Sequence, residues 1–239
     1  MANKLELLYE GKAKRVFKTS DHDALWLEFK DDATAFDGEK KDVINDKGVL
    51  NAAISTYLLE LLERSGVPTH FMMTLSPREM LVKKLKIIPV EFVIRNVAAG
   101  SFSKRMGIKE GTPLKSPILE FYYKDDALHD PMINEYVIDS LELAGKDEIL
   151  TAKDYCWDVN DILSYEFRDA GITLVDFKLE FGIDFKGQVV LADEISPDNC
   201  RLWDEETGEK LDKDRFRQDL GGLLDAYREV LRRLKEEKE

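Results

Sequence analysis

The chain has 239 residues, 44% apolar and 35% charged, so it can bury a core of its own and is not a disordered polypeptide. Its 35 Lys and Arg stand against 48 Asp and Glu, a net charge of −13, which excludes a general electrostatic grip on nucleic acid or an anionic membrane. An anionic ligand therefore needs a local basic pocket. No apolar run approaches the roughly 20 residues of a membrane helix, and the first ten residues lack the apolar centre of a signal peptide, so a cytoplasmic protein is expected. Cys156 and Cys200 form no CxxC, and His22, His70 and His129 are scattered, which argues against a disulfide framework or structural zinc.

In chain order, short alternating segments at 5–9, 15–18 and 24–29, with Gly11-Lys12-Ala13-Lys14 between the first two, predict an antiparallel meander. Asp37-Gly38 reads as a turn. Over 48–64 the residues Leu50, Ile54, Tyr57, Leu58 and Leu61 keep one helical stripe, closed by Gly66. Residues 80–88 and 90–97 read as two strands parted at Pro89, followed by a helix N-terminus at Gly100-Ser101 and a stop at Gly107. Residues 108–135 hold several prolines and glycines without a clean period and read as a loop-rich surface. A helix over 153–170 ends at Gly171, strands follow at 173–181 and 188–195, and one amphipathic helix, weakened at Gly221-Gly222, runs from Phe216 to Leu234. The mixture is α+β, with a β-rich lobe carrying one helix at 1–82 and a mixed lobe at 83–239.

Four constellations could carry chemistry. Lys12 and Lys14 alternate in the first turn and can offer charge to polyphosphate, although such a turn alone is more often an exposed hairpin tip. In Asp176-Phe177-Lys178-Leu179-Glu180, period two puts three ionised groups on one strand face. If Lys186-Gly187 is a two-residue hairpin loop, Glu180 pairs with Asp193, two carboxylates that suit Mg²⁺; a register one residue off sends Asp193 to the opposite face. Arg95, at a strand end before Gly100-Ser101, could form an anion site with a helix N-terminus, or be a surface arginine beside a plain N-cap. The polar loop at 193–204 supplies Arg201, a second phosphate ligand or a partner for a surface ion pair. Lys124, Asp130, Lys213 and Arg217 taken singly are weaker signals.

Together the runs at 9–14, 89–101, 175–182 and 193–204 resemble, in order and spacing, the bacterial SAICAR synthetase family, in its monofunctional form. The resemblance implies a small antiparallel lobe similar to a protein-kinase N-lobe, packed on an ATP-grasp-like lobe with ATP in the cleft. It implies ATP-dependent joining of L-aspartate to the carboxylate of carboxyaminoimidazole ribotide (CAIR), through an acyl phosphate, in a homo-oligomer, most simply a dimer. Lys12 and Lys14 would touch the ATP phosphates, residues 82–88 would border the adenine, and Glu180 and Asp193 would hold Mg²⁺. Arg95, Ser101 and Arg201 would seat the ribotide phosphate, while Asp176 and Lys178 would orient the ribose and imidazole carboxylate. Lys124, Asp130, Lys213 and Arg217 are the candidates for aspartate. A small-molecule kinase on a related scaffold, or a non-catalytic nucleotide-binding protein, would share the lysines and carboxylates without needing the phosphate seat.

Overall fold

The computed structural model describes residues 2–35 and 38–236, so Asp37 of the expected turn lies outside the described residues. The chain runs β1 (Lys4–Glu10), β2 (Lys14–Thr19), β3 (Ala24–Phe29), β4 (Asp32–Ala35), β5 (Lys40–Val43), α1 (Lys47–Arg64), β6 (Phe71–Ser76), β7 (Glu79–Lys83) and β8 (Lys86–Val97). It continues through α2 (Gly100–Met106), β9 (Pro113–Tyr123), β10 (Met132–Ile133), α3 (Glu135–Ser140), α4 (Lys146–Asp169), β11 (Ile172–Ile183), β12 (Val189–Ala192), β13 (Cys200–Asp204), α5 (Asp214–Arg217) and α6 (Leu223–Lys235). Antiparallel pairing builds a five-stranded sheet in the order β1-β2-β3-β7-β6 and a six-stranded sheet in the order β10-β9-β8-β11-β12, with β13 also on β11. The fold is α+β, and the meander and first helix form where alternation and helical period place them.

Elsewhere local chemistry overrides the pattern. The break in the 80–97 region falls at Lys84-Leu85, and Pro89 lies inside β8, where the register against β11 shifts between the Glu180↔Glu91 and Gly182↔Ile87 pairs. A bulge leaves residues outside the ladder, so the N–H that proline lacks removes no strand bond. Residues 113–123, expected in a loop-rich surface, form the long strand β9: Pro113 opens it, and Pro117 falls in the register shift between Arg95↔Ile118 and Val97↔Pro113. Residues 200–204 form β13 rather than a loop. The C-terminal stripe is two helices, because Gly221 and Gly222 take φ of 70° and 62°, left-handed values that interrupt an α-helix.

One face of the six-stranded sheet carries the main core. Ile54 and Leu58 of α1, Val159 and Leu163 of α4, and Tyr227 and Val230 of α6 pack with Phe92, which meets Phe121 and Phe181 edge to face at 5.4 and 5.0 Å. A register shift between Leu174 and Asp176 swaps the parity of β11: Ile172 and Leu174 reach the core before it, Phe177, Leu179 and Phe181 after it. Alternation then commits Asp176, Lys178 and Glu180, with Glu91 and Arg95 of β8, to the opposite face.

The two large sheets are stitched at Thr69 and His70. Thr69 bridges Leu191, and the His70 N–H donates to the Leu191 carbonyl at 2.8 Å. His70 is 5% exposed, and burial, aided by the charge of Lys14, pulls its pKa down to about 4 from 6.5. The unfolded chain then binds more protons than the native one between these values, so His70 contributes stability above pH 6.5 that is lost as pH falls toward 4. Thermal unfolding of His70→Gln is expected to lose less stability than the parent across this window, the difference being on the order of 3 kcal/mol.

Candidate active site

β12 and β13 share one edge of β11. β12 covers Glu180 to Ile183 and β13 covers Ile172 to Phe177, while between them the chain leaves the edge from Asp193 to Asn199. The gap lies opposite Lys178, whose N–H donates to the Asn199 carbonyl at 3.0 Å. A cavity of about 350 Å³ opens there, and Arg95, Asp176, Lys178, Asp193, Arg201, Lys213 and Arg217 all line it.

The expected Glu180–Asp193 pairing is not the one observed. Asp184 Oδ1 accepts from the N–H groups of Lys186 and Gln188 at 2.8 and 2.9 Å, which makes the β11–β12 loop one residue longer and pairs Glu180 with Ala192. By alternation alone Asp193 would face away. It lies beyond the strand end with φ of 62°, however, and this left-handed turn swings its carboxylate back over β11. Lys178 Nζ lies 2.5 Å from Glu180 Oε1, 3.0 Å from Glu91 Oε1 and 3.4 Å from Asp193 Oδ2. Lys14 pairs with Asp193 and stands 3.2 Å from Glu194 Oε1. Burial opposes ionisation of Asp193, but Lys14 and Lys178 overcome it and hold its carboxyl well below the usual range.

The other end of the cavity is built on shared carboxylates. Asp176 accepts from Arg95 Nη1 at 2.8 Å and from Arg201 Nη1 at 3.0 and 2.9 Å. Asp214 accepts from Arg201 Nε at 3.0 Å and from Arg217 Nη1 at 2.5 Å. Burial works against the Arg201 charge, yet Asp176 and Asp214 raise its pKa above the ordinary value. Gly100 has φ of 54°, and a Cβ there would lie 2.4 Å from Arg201 Nη2, so only glycine fits beneath this guanidinium. Lys213 Nζ lies 3.6 Å from Asp198 Oδ2. The cavity is thus polarised, with Arg95, Arg201, Arg217 and Lys213 at one end and Asp193 and Glu194 at the other, where Glu91 and Glu180 do not line it but pair with Lys178, which does.

Lys124 does not line the cavity; it donates to Glu180 Oε1 at 2.6 Å, beside Lys178. Lys12, Lys14, Asp130, Glu180 and Ser101 do not line the cavity either, although Lys14 pairs with Asp193 and Glu194, which do. Lys12 donates to Asp126 at 2.8 Å, Asp130 Oδ1 accepts from the Asp125 N–H at 2.9 Å in the same loop, and Ser101 is exposed on the first turn of α2. Sequence reasoning missed Glu91, which shares its strand face with Arg95 and was visible by alternation. It also missed Glu194, Asp198 and Lys47, whose loop and helix positions carry no local signal.

Mg²⁺ takes oxygen ligands and is commonly held by one or two carboxylates, with water and phosphate completing its shell. Glu180 and Asp193 converge on a single ammonium nitrogen and offer that donor set. Among the described residues no group of three His, Cys, Asp or Glu is placed to hold a metal, so a metal at Glu180 and Asp193 would take the rest of its shell from water or ligand oxygens.

The SAICAR synthetase family model matches residues 7–234 of this chain. The phosphoribosylaminoimidazole-succinocarboxamide synthase of Caldanaerobacter subterraneus subsp. tengcongensis is 58% identical, covering 98% of this chain and 99% of its own. The crystal structure of the phosphoribosylaminoimidazole-succinocarboxamide synthase from Ehrlichia chaffeensis is similar with a TM-score of 0.94 at 50% identity, over 98% of this chain and 100% of that one. A SAICAR synthetase in complex with ADP matches with the same TM-score and identity, over 98% of this chain and 99% of that one. By sequence and by fold alike, the chain belongs to the SAICAR synthetase family, enzymes of purine biosynthesis.

Proposed function

We propose that this protein joins L-aspartate to the carboxylate of CAIR with consumption of ATP, giving the succinocarboxamide nucleotide, ADP and phosphate. The observation that carries this reading is the polarity of the β11 cavity, which offers arginines for a phosphate at one end and carboxylates with shared lysine partners at the other. The ADP bound by the similar SAICAR synthetase supports a nucleotide site in this chain too. In this reading the five-stranded sheet plays the part of a kinase-like N-lobe, the six-stranded sheet is the ATP-grasp-like partner, and ATP lies between them with residues 82–88 beside the adenine.

A carboxylate is a poor electrophile at neutral pH, so the reaction needs it activated first. Lys14 and Lys178 present ammonium groups to the γ-phosphoryl group and to the CAIR carboxylate, lowering the repulsion between two anions as they approach. Glu180 and Asp193 hold Mg²⁺, which when bound offsets the charge of the phosphate oxygens. Arg95 and Arg201, with Lys213 and Arg217 beside them, anchor the ribotide phosphate, and Asp176 keeps both arginines in place. Aspartate enters on the side of Lys124, where the loop bearing Asp130 meets the turn of Lys12. Its amine attacks the resulting acyl phosphate and phosphate departs, so the gain comes from positioning and charge neutralisation.

The decisive assay follows ADP release and succinocarboxamide formation with CAIR, ATP, Mg²⁺ and L-aspartate. Product that requires all four supports the ligase. A phosphorylated acceptor formed without aspartate would instead identify a kinase. Lys178→Met is expected to cut turnover by about a hundredfold or more, since it removes an ammonium that meets developing charge. Glu180→Gln should move the Mg²⁺ titration of activity to concentrations several-fold higher, and coincident curves would remove Glu180 from the metal seat. Arg95 is 4% exposed and bound to Glu120 and Asp176, so Arg95→Ala is expected to cost about 3 kcal/mol of stability as well as activity, measurable by denaturant unfolding.

A further inference from the structure

Behind the cavity wall, α1 carries a polar stripe at helical spacing: Lys47, Asn51 and Ser55 are at most 1% exposed, beside Leu50, Ile54 and Leu58 of the same helix in the apolar core. Each end of the stripe grips the loop between β12 and β13. Lys47 Nζ donates to Asp198 Oδ2 at 2.5 Å, and Ser55 Oγ accepts from the Ile195 N–H at 3.0 Å. From α6, Tyr227 Oη donates to the other oxygen, Asp198 Oδ1, at 2.7 Å. Both Lys47 and Tyr227 are fully buried, and neither lines the cavity. Asp198 does line it, and its Oδ2 also faces Lys213 Nζ at 3.6 Å.

A lysine at 0% exposure is costly to desolvate, and an apolar residue of similar volume would pack in its place at no such cost. Its retention calls for a use beyond packing, and the contacts supply one. With one oxygen held by Tyr227 and the other by Lys47, the Asp198 carboxylate cannot rotate, and Lys213 meets a fixed anion inside the cavity. The second cation on Oδ2 leaves the Lys47–Asp198–Lys213 group with one net positive charge, and of its two lysines Lys213 is the one that lines the cavity.

We propose that Lys47 and Tyr227 are positioning residues that lock Asp198 so that Lys213 presents its ammonium group to the phosphate of the ribotide. The proposal rests on the reading of the cavity as a CAIR site. Lys213 is then held by a relay that starts on α1, more than a hundred and fifty residues earlier in the chain. Lys47→Met alone strands a buried carboxylate and risks unfolding the protein, so two further variants carry the test. Tyr227→Phe keeps the fold and frees one oxygen of Asp198. The pair Lys47→Met with Asp198→Asn removes both charges of the buried ion pair at once and keeps the net charge of the group unchanged.

The expected result is a KM for CAIR raised about tenfold in Tyr227→Phe and more in the double variant, the loss of a well-aimed charged hydrogen bond. The KM values for ATP and aspartate should stay near those of the parent, and the melting temperature of the double variant should exceed that of Lys47→Met. A purely structural role predicts otherwise: the double variant would then recover stability and the parental KM for CAIR together, which would overturn the proposal. An equal rise in all three KM values would overturn it as well. Failure of the parent itself to form product from CAIR would reject the functional reading rather than the relay.

Discussion

A carboxylate buried on a sheet face must be matched by a cation, and in this protein that requirement decides where the loops run. Asp176 projects from the middle of β11 at 4% exposure and is matched by two arginines, one from the neighbouring β8 and one from β13. Arg201 is matched in turn by Asp214, whose second partner is Arg217. The chain of shared charges ties β8, β11, β13 and α5 into one wall. Removing Asp176 would leave Arg95 and Arg201 short of a shared counter-charge, and removing Arg201 would take a partner from both Asp176 and Asp214, which distinguishes this wall from separable surface ion pairs.

The same rule operates at the other end of β11 with a different outcome. There the cations are lysines, flexible point charges that can change partners, whereas the planar arginines are fixed in forks. Lys178 is shared among three carboxylates and Lys14 between two. Lysines so placed neutralise the acidic cluster, and in the proposed reaction they would turn to phosphate oxygens once a nucleotide with its metal took over the carboxylates. The rigid end suits a group that is only bound, and the adaptable end suits groups that react. Lys178 stands where the two meet, at the gap between β12 and β13.

The legible part of this architecture was the part written in local periodicity. Alternation at 173–181 marked Asp176, Lys178 and Glu180 as neighbours on one face, and Arg95 stood out by its place near a strand end before Gly100-Ser101. What the pattern did not contain was geometry that departs from it. Asp193 reaches Glu180 through a left-handed residue after a loop one residue longer than the Lys186-Gly187 dipeptide suggested, so a wrong register led to a correct neighbourhood. β9 was hidden by two prolines that sit at a strand start and in a bulge. Lys47 gave no signal at all, because a basic residue before a helical stripe is ordinarily solvated and only the tertiary fold brings Asp198 to it.

The proposed chemistry turns on the meeting of a nucleotide phosphate with a ribotide carboxylate above Lys178. That event leaves an isotopic trace. With CAIR carrying oxygen-18 in its carboxylate, one labelled oxygen is expected in inorganic phosphate for each succinocarboxamide formed, because phosphate departs with the oxygen it was attached to. Unlabelled phosphate at full product yield would mean that the carboxylate is never phosphorylated, and would contradict this chemistry.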